Sequence, residues 1–163
     1  MRSAILGLGL LVALGVPAAL IAQKEHLLSA GTPMLLDLAS RDPRSLIQGD
    51  YMRLNYAIAN ALWHEGESWA ADGRIVVRTD AHDVASFVRR DDGTTLAPGE
   101  RLLRYRHREG HVRIGPDAFF FQEGDADLYS AARYGELRVD GRGDGVLVGL
   151  RDATFHPLGR ARQ

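Results

Sequence analysis

The chain has 163 residues, a formal net charge of -1 and no cysteine. That length suits one domain with a core of its own and is short for two. Near-neutral charge gives no whole-molecule field towards nucleic acid or an anionic surface. The lack of cysteine excludes disulfides, thiolate metal sites and cysteine nucleophiles.

Residues 3–22 carry no charge, with Arg2 before them and Gln23, Lys24 and Glu25 after. Such a run is long enough to cross a hydrocarbon core of about 30 Å as a helix. It is also longer than the apolar region of a usual cleaved signal peptide, and Leu20 is a poor fit before a cut after Ala22. The expectation is a retained membrane anchor over residues 1–24, with signal cleavage as the alternative. Pro17 is tolerated in a membrane span. Long domains translocate largely regardless of charge, so the short N-terminus is expected in the cytoplasm and the rest of the chain outside the cytoplasmic (inner) membrane.

Lys24 to Ala30 can continue the helix until Gly31 and Pro33 stop it. Met34 to Ala39 reads as a first strand, leading to an Asp42-Pro43 turn. From Asp50 to Ala59 the residues alternate, with Met52, Leu54, Tyr56 and Ile58 on one face, which predicts a half-buried strand. Asn60 to Gly73 has no clean period and reads as a loop with a short helix at most, its Trp63 and Trp69 packing onto the sheet. Further strands are expected over 74–79, 84–90, 101–107, 111–114 and 118–121, the last, with Phe119, Phe120 and Phe121, buried on both sides. Gly124 to Tyr134 reads as the one internal helix, capped by Asp125 or Asp127. Glu136 to Asp140 and Val146 to Arg151 flank a glycine-rich turn and predict a terminal hairpin.

Short, closely spaced strands without βαβ alternation predict a mainly β fold, an antiparallel sheet or partly closed barrel with one short internal helix, preceded by an N-terminal transmembrane helix. The β-rich domain is expected over residues 25–155, with a loose tail over 156–163. Lys24 is the single lysine, and Arg101, Arg104, Arg106 and Arg108 come closest to a basic stripe. Asp91, Asp92, Glu100 and Glu109 surround them, so they read as a solvated strand face and no nucleic-acid partner is expected.

The word Gly49-Asp50-Tyr51-x-x-Leu54-x-Tyr56 matches the motif that names the GDYxxLxY family of bacterial membrane-anchored proteins, which this chain resembles. Asp42-Pro43-Arg44 resembles the family's lead-in. Phe119-Phe120-Phe121-Gln122-Glu123-Gly124 is similar to its second block, although Ile114-Gly115-Pro116-Asp117 stands where a Tyr-Gly lead is expected. The resemblance implies a membrane-tethered periplasmic domain of unknown biochemical function, accompanying a multi-spanning membrane protein.

Two readings of the signature residues follow. In one, Asp50 pins the turn, Arg44 or Arg53 satisfies it, and Tyr51 and Tyr56 anchor opposite faces. In the other, Asp42, Arg44, Asp50, Tyr51, Tyr56 and Glu123 bind a ligand or partner peptide. An envelope hydrolase using carboxylates near Asp50 and Glu123 is the enzymatic alternative, since paired carboxylates perform acid–base work at a suitable separation. A fainter resemblance to type I signal peptidases meets a departure at the base, because Lys24 abuts the span. His107 and His111 have a helical metal-ligand spacing, but lie on strands around Gly110, so no metal and no cofactor are expected. The glycine-rich run 141–145 has no helix after it and reads as a hairpin turn, not a phosphate cradle.

Overall fold

The computed structural model describes residues 2–39, 47–48, 51–63 and 69–159. Helix α1 (Arg2–Ala30) runs through Pro17 without ending there. Among its described side chains it is exposed from Gly9 up to its last turns, where Leu27 is buried against the rest of the protein. Gly31 N–H donates to the Leu27 carbonyl at 2.9 Å, closing the helix as expected. The Arg138 guanidinium donates to the Gly31 carbonyl, so the helix end is tied directly to the sheet beyond it.

Strand β1 (Thr32–Asp37) follows at once. Two short strands, β2 (Ile47–Gln48) and β3 (Tyr51–Arg53), precede helix α2 (Ala57–Trp63). Then come β4 (Asp72–Thr79), β5 (Ala85–Arg90), β6 (Glu100–Arg108), β7 (His111–Ile114) and β8 (Ala118–Phe120). A 3-10 turn (Ala126–Tyr129) leads to β9 (Tyr134–Val139) and β10 (Gly145–Arg151). Among the described residues the paired strands are antiparallel, in sheets ordered β1-β9-β10, β2-β3-β8 and β5-β4-β6-β7. The fold is therefore β-rich, as the strand spacing predicted.

The three sheets close on one core. Met34, Leu36, Ile75, Leu103, Ile114, Leu137 and Leu150 are fully buried there, together with Leu62 of α2. Each such side chain contributes about 1.5–3 kcal/mol of burial. Trp69 packs into this core as expected: Tyr105 meets its ring edge-on at 4.9 Å between centroids, and the Arg90 guanidinium lies 3.9 Å over its face.

Four expectations are corrected. The signature strand ends at Arg53, and Ala57 begins α2, because Ile58, Ala59 and Leu62 bury better along a helix face than along a strand. The helix expected from Gly124 to Tyr134 is one 3-10 turn, since Tyr129 is its core-facing residue while Leu128 is exposed. Phe120 is 75% exposed, so β8 is not buried on both sides. The stretch expected as a loose tail is tied back at its start, where Leu158 N–H donates to the Leu150 carbonyl at 2.8 Å and the side chain joins the core.

Candidate functional site

The two sequence blocks that define the chain meet on neighbouring strands. In the β3–β8 ladder Tyr51 stands opposite Phe120, Met52 opposite Phe119 and Arg53 opposite Ala118. Alternation along these strands sends Met52 and Phe119 inward. There Phe119 meets Tyr129 edge-on at 5.0 Å, and Phe121 stacks on the same ring at 5.2 Å. Tyr51 and Phe120 go the other way and pair at 5.8 Å on the outer face. Strand β8 is the edge of this sheet among the described residues.

Beyond the ladder, the turn at Gly115-Pro116-Asp117 is stapled to the signature strand. Leu54 N–H donates to the Asp117 carbonyl at 2.8 Å, and the Tyr56 hydroxyl donates to the Pro116 carbonyl at 3.1 Å. Tyr56 is 3% exposed. Its ring fits against Gly135, where a Cβ would approach to 3.1 Å, and its hydroxyl lies beside Gly115, whose φ of +67° is costly for other residues. Burial, reinforced by the negative charge of Asp117, raises the Tyr56 phenol well above its ordinary value of 10.0. It remains a neutral donor and is no general base at ordinary pH. The Tyr56 carbonyl also accepts from the amides of Ala59 and Asn60, starting α2.

Two grooves open beside this frame. One, of about 360 Å³, is lined by Arg53, Asn55, Tyr56, Asn60, His111, Arg113 and Asp117 among others. Its polar groups suit hydrogen bonding to a peptide or small polar ligand. The second, of about 460 Å³, is lined by Lys24, Arg104, Arg106, Arg108, Arg113, Asp117 and Asp144 along with uncharged residues of β6, β9, the 115–117 turn and the glycine-rich turn. Arg113 belongs to both and is held by Asp117 at 2.9 Å.

Of the predicted site residues, Asp42, Arg44 and Asp50 lie outside the described residues. Tyr51 sits on the outer face beside Phe120, whereas Tyr56 lies inside the core on the inner face. Glu123 is exposed and lines neither groove. The structure thus separates Tyr51, Tyr56 and Glu123, and gathers Asn60, His111 and Arg113 around the groove that Tyr56 also lines. Sequence reading missed these three because they come from α2 and β7, whose approach to the signature strand depends on the tertiary fold.

Two other motifs resolve clearly. His107 stands opposite Val112, and Arg108 opposite His111, so the two histidines point to opposite faces of the β6–β7 hairpin and cannot share an ion. In the glycine-rich turn the Asp140 carboxylate accepts from the amides of Arg142 and Asp144, both at 2.9 Å. That acceptor occupies the amides a phosphate would need, and the turn is structural.

The architecture defines a class: a small antiparallel β domain carried on an apolar N-terminal helix, with its two signature blocks locked side by side. The chain belongs to the GDYXXLXY protein family, whose model matches residues 13–150. No curated protein and no solved structure matches it.

Proposed function

We propose that the protein is a membrane-tethered accessory or binding module, held at the outer face of the cytoplasmic membrane of a bacterium and acting with a membrane protein partner. One observation carries the reading. Helix α1 exposes Leu10, Leu11, Leu14, Val16, Leu20 and Ile21 over more than half of its circumference, Leu11 at 69%. The helix is long and apolar enough to span a bilayer. An apolar helix of this length is stable in lipid or inside a protein, and among its described side chains the domain covers those of its last turns. Its junction with the sheet through Leu27, Gly31 and Arg138 then holds the β domain close to the membrane in a defined pose.

Phe120 and Tyr51 supply the surface for a partner. They form an aromatic pair, Phe120 exposed and Tyr51 half-buried, beside a strand that is the sheet's edge among the described residues, a combination enriched where proteins meet. The hydrolase alternative needs Glu123 in an open cleft facing Asp50, and the exposed position of Glu123 outside both grooves favours the binding module instead.

The test is fractionation of the full chain from bacterial cells. The protein is expected in the membrane pellet after alkaline carbonate washing, with its β domain digested by protease added to spheroplasts but not to intact cells. Release by carbonate, or protection in spheroplasts, would refute the anchored extracytoplasmic placement.

A further inference from the structure

The outward face of β6 carries Arg104, Arg106 and Arg108 in succession, because strand alternation sends Leu103 and Tyr105 into the core. Arg106 is flanked in register by Asp72 of β4 and Arg113 of β7. Arg101, grouped with these arginines in the sequence, lies on the other parity and is spent on the Pro33 carbonyl at 3.0 Å. The chain's near-neutral total therefore hides a local concentration of positive charge.

Carboxylates meet this face only in part. Asp72 is shared by three guanidiniums, at 3.2 Å from Arg108, 3.9 Å from Arg106 and 4.0 Å from Arg104. Asp144 takes one further contact from Arg104 at 3.0 Å, Asp117 and Glu109 meet Arg113 at 2.9 and 3.8 Å, and the Ala71 and His107 carbonyls accept from Arg108 at 2.9 and 3.0 Å. Each guanidinium offers five N–H donors in a planar fork, so donors far outnumber the acceptors supplied. Arg106 remains 65% exposed.

The position of Lys24 decides what this face meets. Lys24 lines the same groove as Arg104, Arg106, Arg108 and Arg113. It also stands two residues beyond the apolar run that ends at Ala22, or about 3 Å along the helix. A span seated in hydrocarbon puts Lys24 at headgroup depth, and the arginine groove lies at the same level. We propose that this groove binds the phosphate headgroups of anionic phospholipids in the leaflet where α1 emerges. The inference rests on the anchored reading above. Charge complementarity and geometry favour a lipid over a soluble anion, because the tether presents headgroups continuously while the groove faces its base.

The experiment uses the full chain reconstituted in vesicles of phosphatidylcholine and phosphatidylglycerol in equal parts. Spin-labelled phosphatidylglycerol and phosphatidylcholine report which lipid is immobilised at the protein. The expected result is a several-fold preference for phosphatidylglycerol, falling towards parity in the Arg106→Gln/Arg108→Gln double variant and at high salt, with thermal melting unchanged. A preference unaffected by the double substitution would overturn the proposal. So would its abolition by soluble glycerol phosphate or an acidic peptide, which would assign the groove to an aqueous ligand. Carbonate washing of the same vesicles separates the two levels: a chain that is released refutes the anchor itself, whereas one that stays but shows no preference refutes only the headgroup site.

Discussion

Tyr56 donates its hydroxyl to the carbonyl of Pro116 at 3.1 Å, joining the end of the signature word to the turn that feeds the aromatic block. Together with the Leu54–Asp117 backbone bond and the β3–β8 ladder, this bond makes the two blocks one structural unit. The buried positions of the word, Leu54 and Tyr56, thus build the frame, while Tyr51 stays on its outer surface.

Replacing Tyr56 by Phe keeps the ring and removes the donor, leaving the Pro116 carbonyl short of a partner. A loss of about 1 kcal/mol is expected from chemical denaturation in detergent. The pH dependence has a definite sign. The folded phenol titrates above its unfolded value of 10.0, so the folded state keeps a proton that the unfolded state releases. Stability is fully present below that value and falls as pH rises from it towards the raised folded pKa, by about 1.4 kcal/mol per unit for this one group. The Tyr56→Phe variant should lose stability less steeply across this alkaline range. Equal slopes for the two proteins would show that Tyr56 is not buried as described.

Gly143 and Gly124 share a φ of +86° but differ in what surrounds them. A Cβ at Gly143 would stand 2.9 Å from the backbone of Leu102 and Leu103, and the Gly143 carbonyl accepts from Arg104 N–H at 2.9 Å. At Gly124 a Cβ would meet nothing within 4 Å. Gly143→Ala combines left-handed strain with overpacking, and an overall loss of about 2–4 kcal/mol is expected. Gly124→Ala carries the conformational cost alone, about 1–2 kcal/mol. Thermal melting of the two variants side by side decides the matter. A Gly143→Ala protein as stable as Gly124→Ala would mean that the 141–145 turn does not press on β6.

Local signals identified whatever local forces determine. The uncharged run to Ala22, the stop at Gly31 and the terminal hairpin around 141–145 each follow from a few adjacent residues, and each lies where expected. The Met52, Leu54, Tyr56, Ile58 alternation correctly picked the buried residues but not the backbone carrying them. A strand and a helix starting at Ala57 both bury Ile58, and the spacing of Ala59 and Leu62 was the clue to the helix. At Gly124 to Tyr134 the expected helix gives way to a single 3-10 turn, because two phenylalanine rings select Tyr129 as the inward residue. The grooves were the least legible feature. They juxtapose His111 and Arg113 with Asn60, and Arg106 with Lys24, across separations that no periodicity reports.

Phe119 and Phe120 are adjacent in sequence, yet opposite outcomes are expected from truncating them. Phe119 packs on Tyr129 and against the core, so Phe119→Ala should destabilise the domain by about 2–3 kcal/mol through lost burial and a partly filled cavity. Phe120 is held mainly by solvent and the Tyr51 ring, so Phe120→Ser should change stability by no more than about 0.5 kcal/mol. Its effect should fall on association. An affinity-tagged full chain solubilised gently from native membranes is expected to bring down a multi-spanning membrane protein, and Phe120→Ser to deplete that protein at least several-fold while the tagged chain is recovered at its normal level. Should the Phe120→Ser chain retain the same membrane protein at the same yield, the outer face of the β3–β8 ladder is not where the partner docks. Loss of the protein with Phe119→Ala alone would instead trace the association to the fold's integrity and not to an exposed ring.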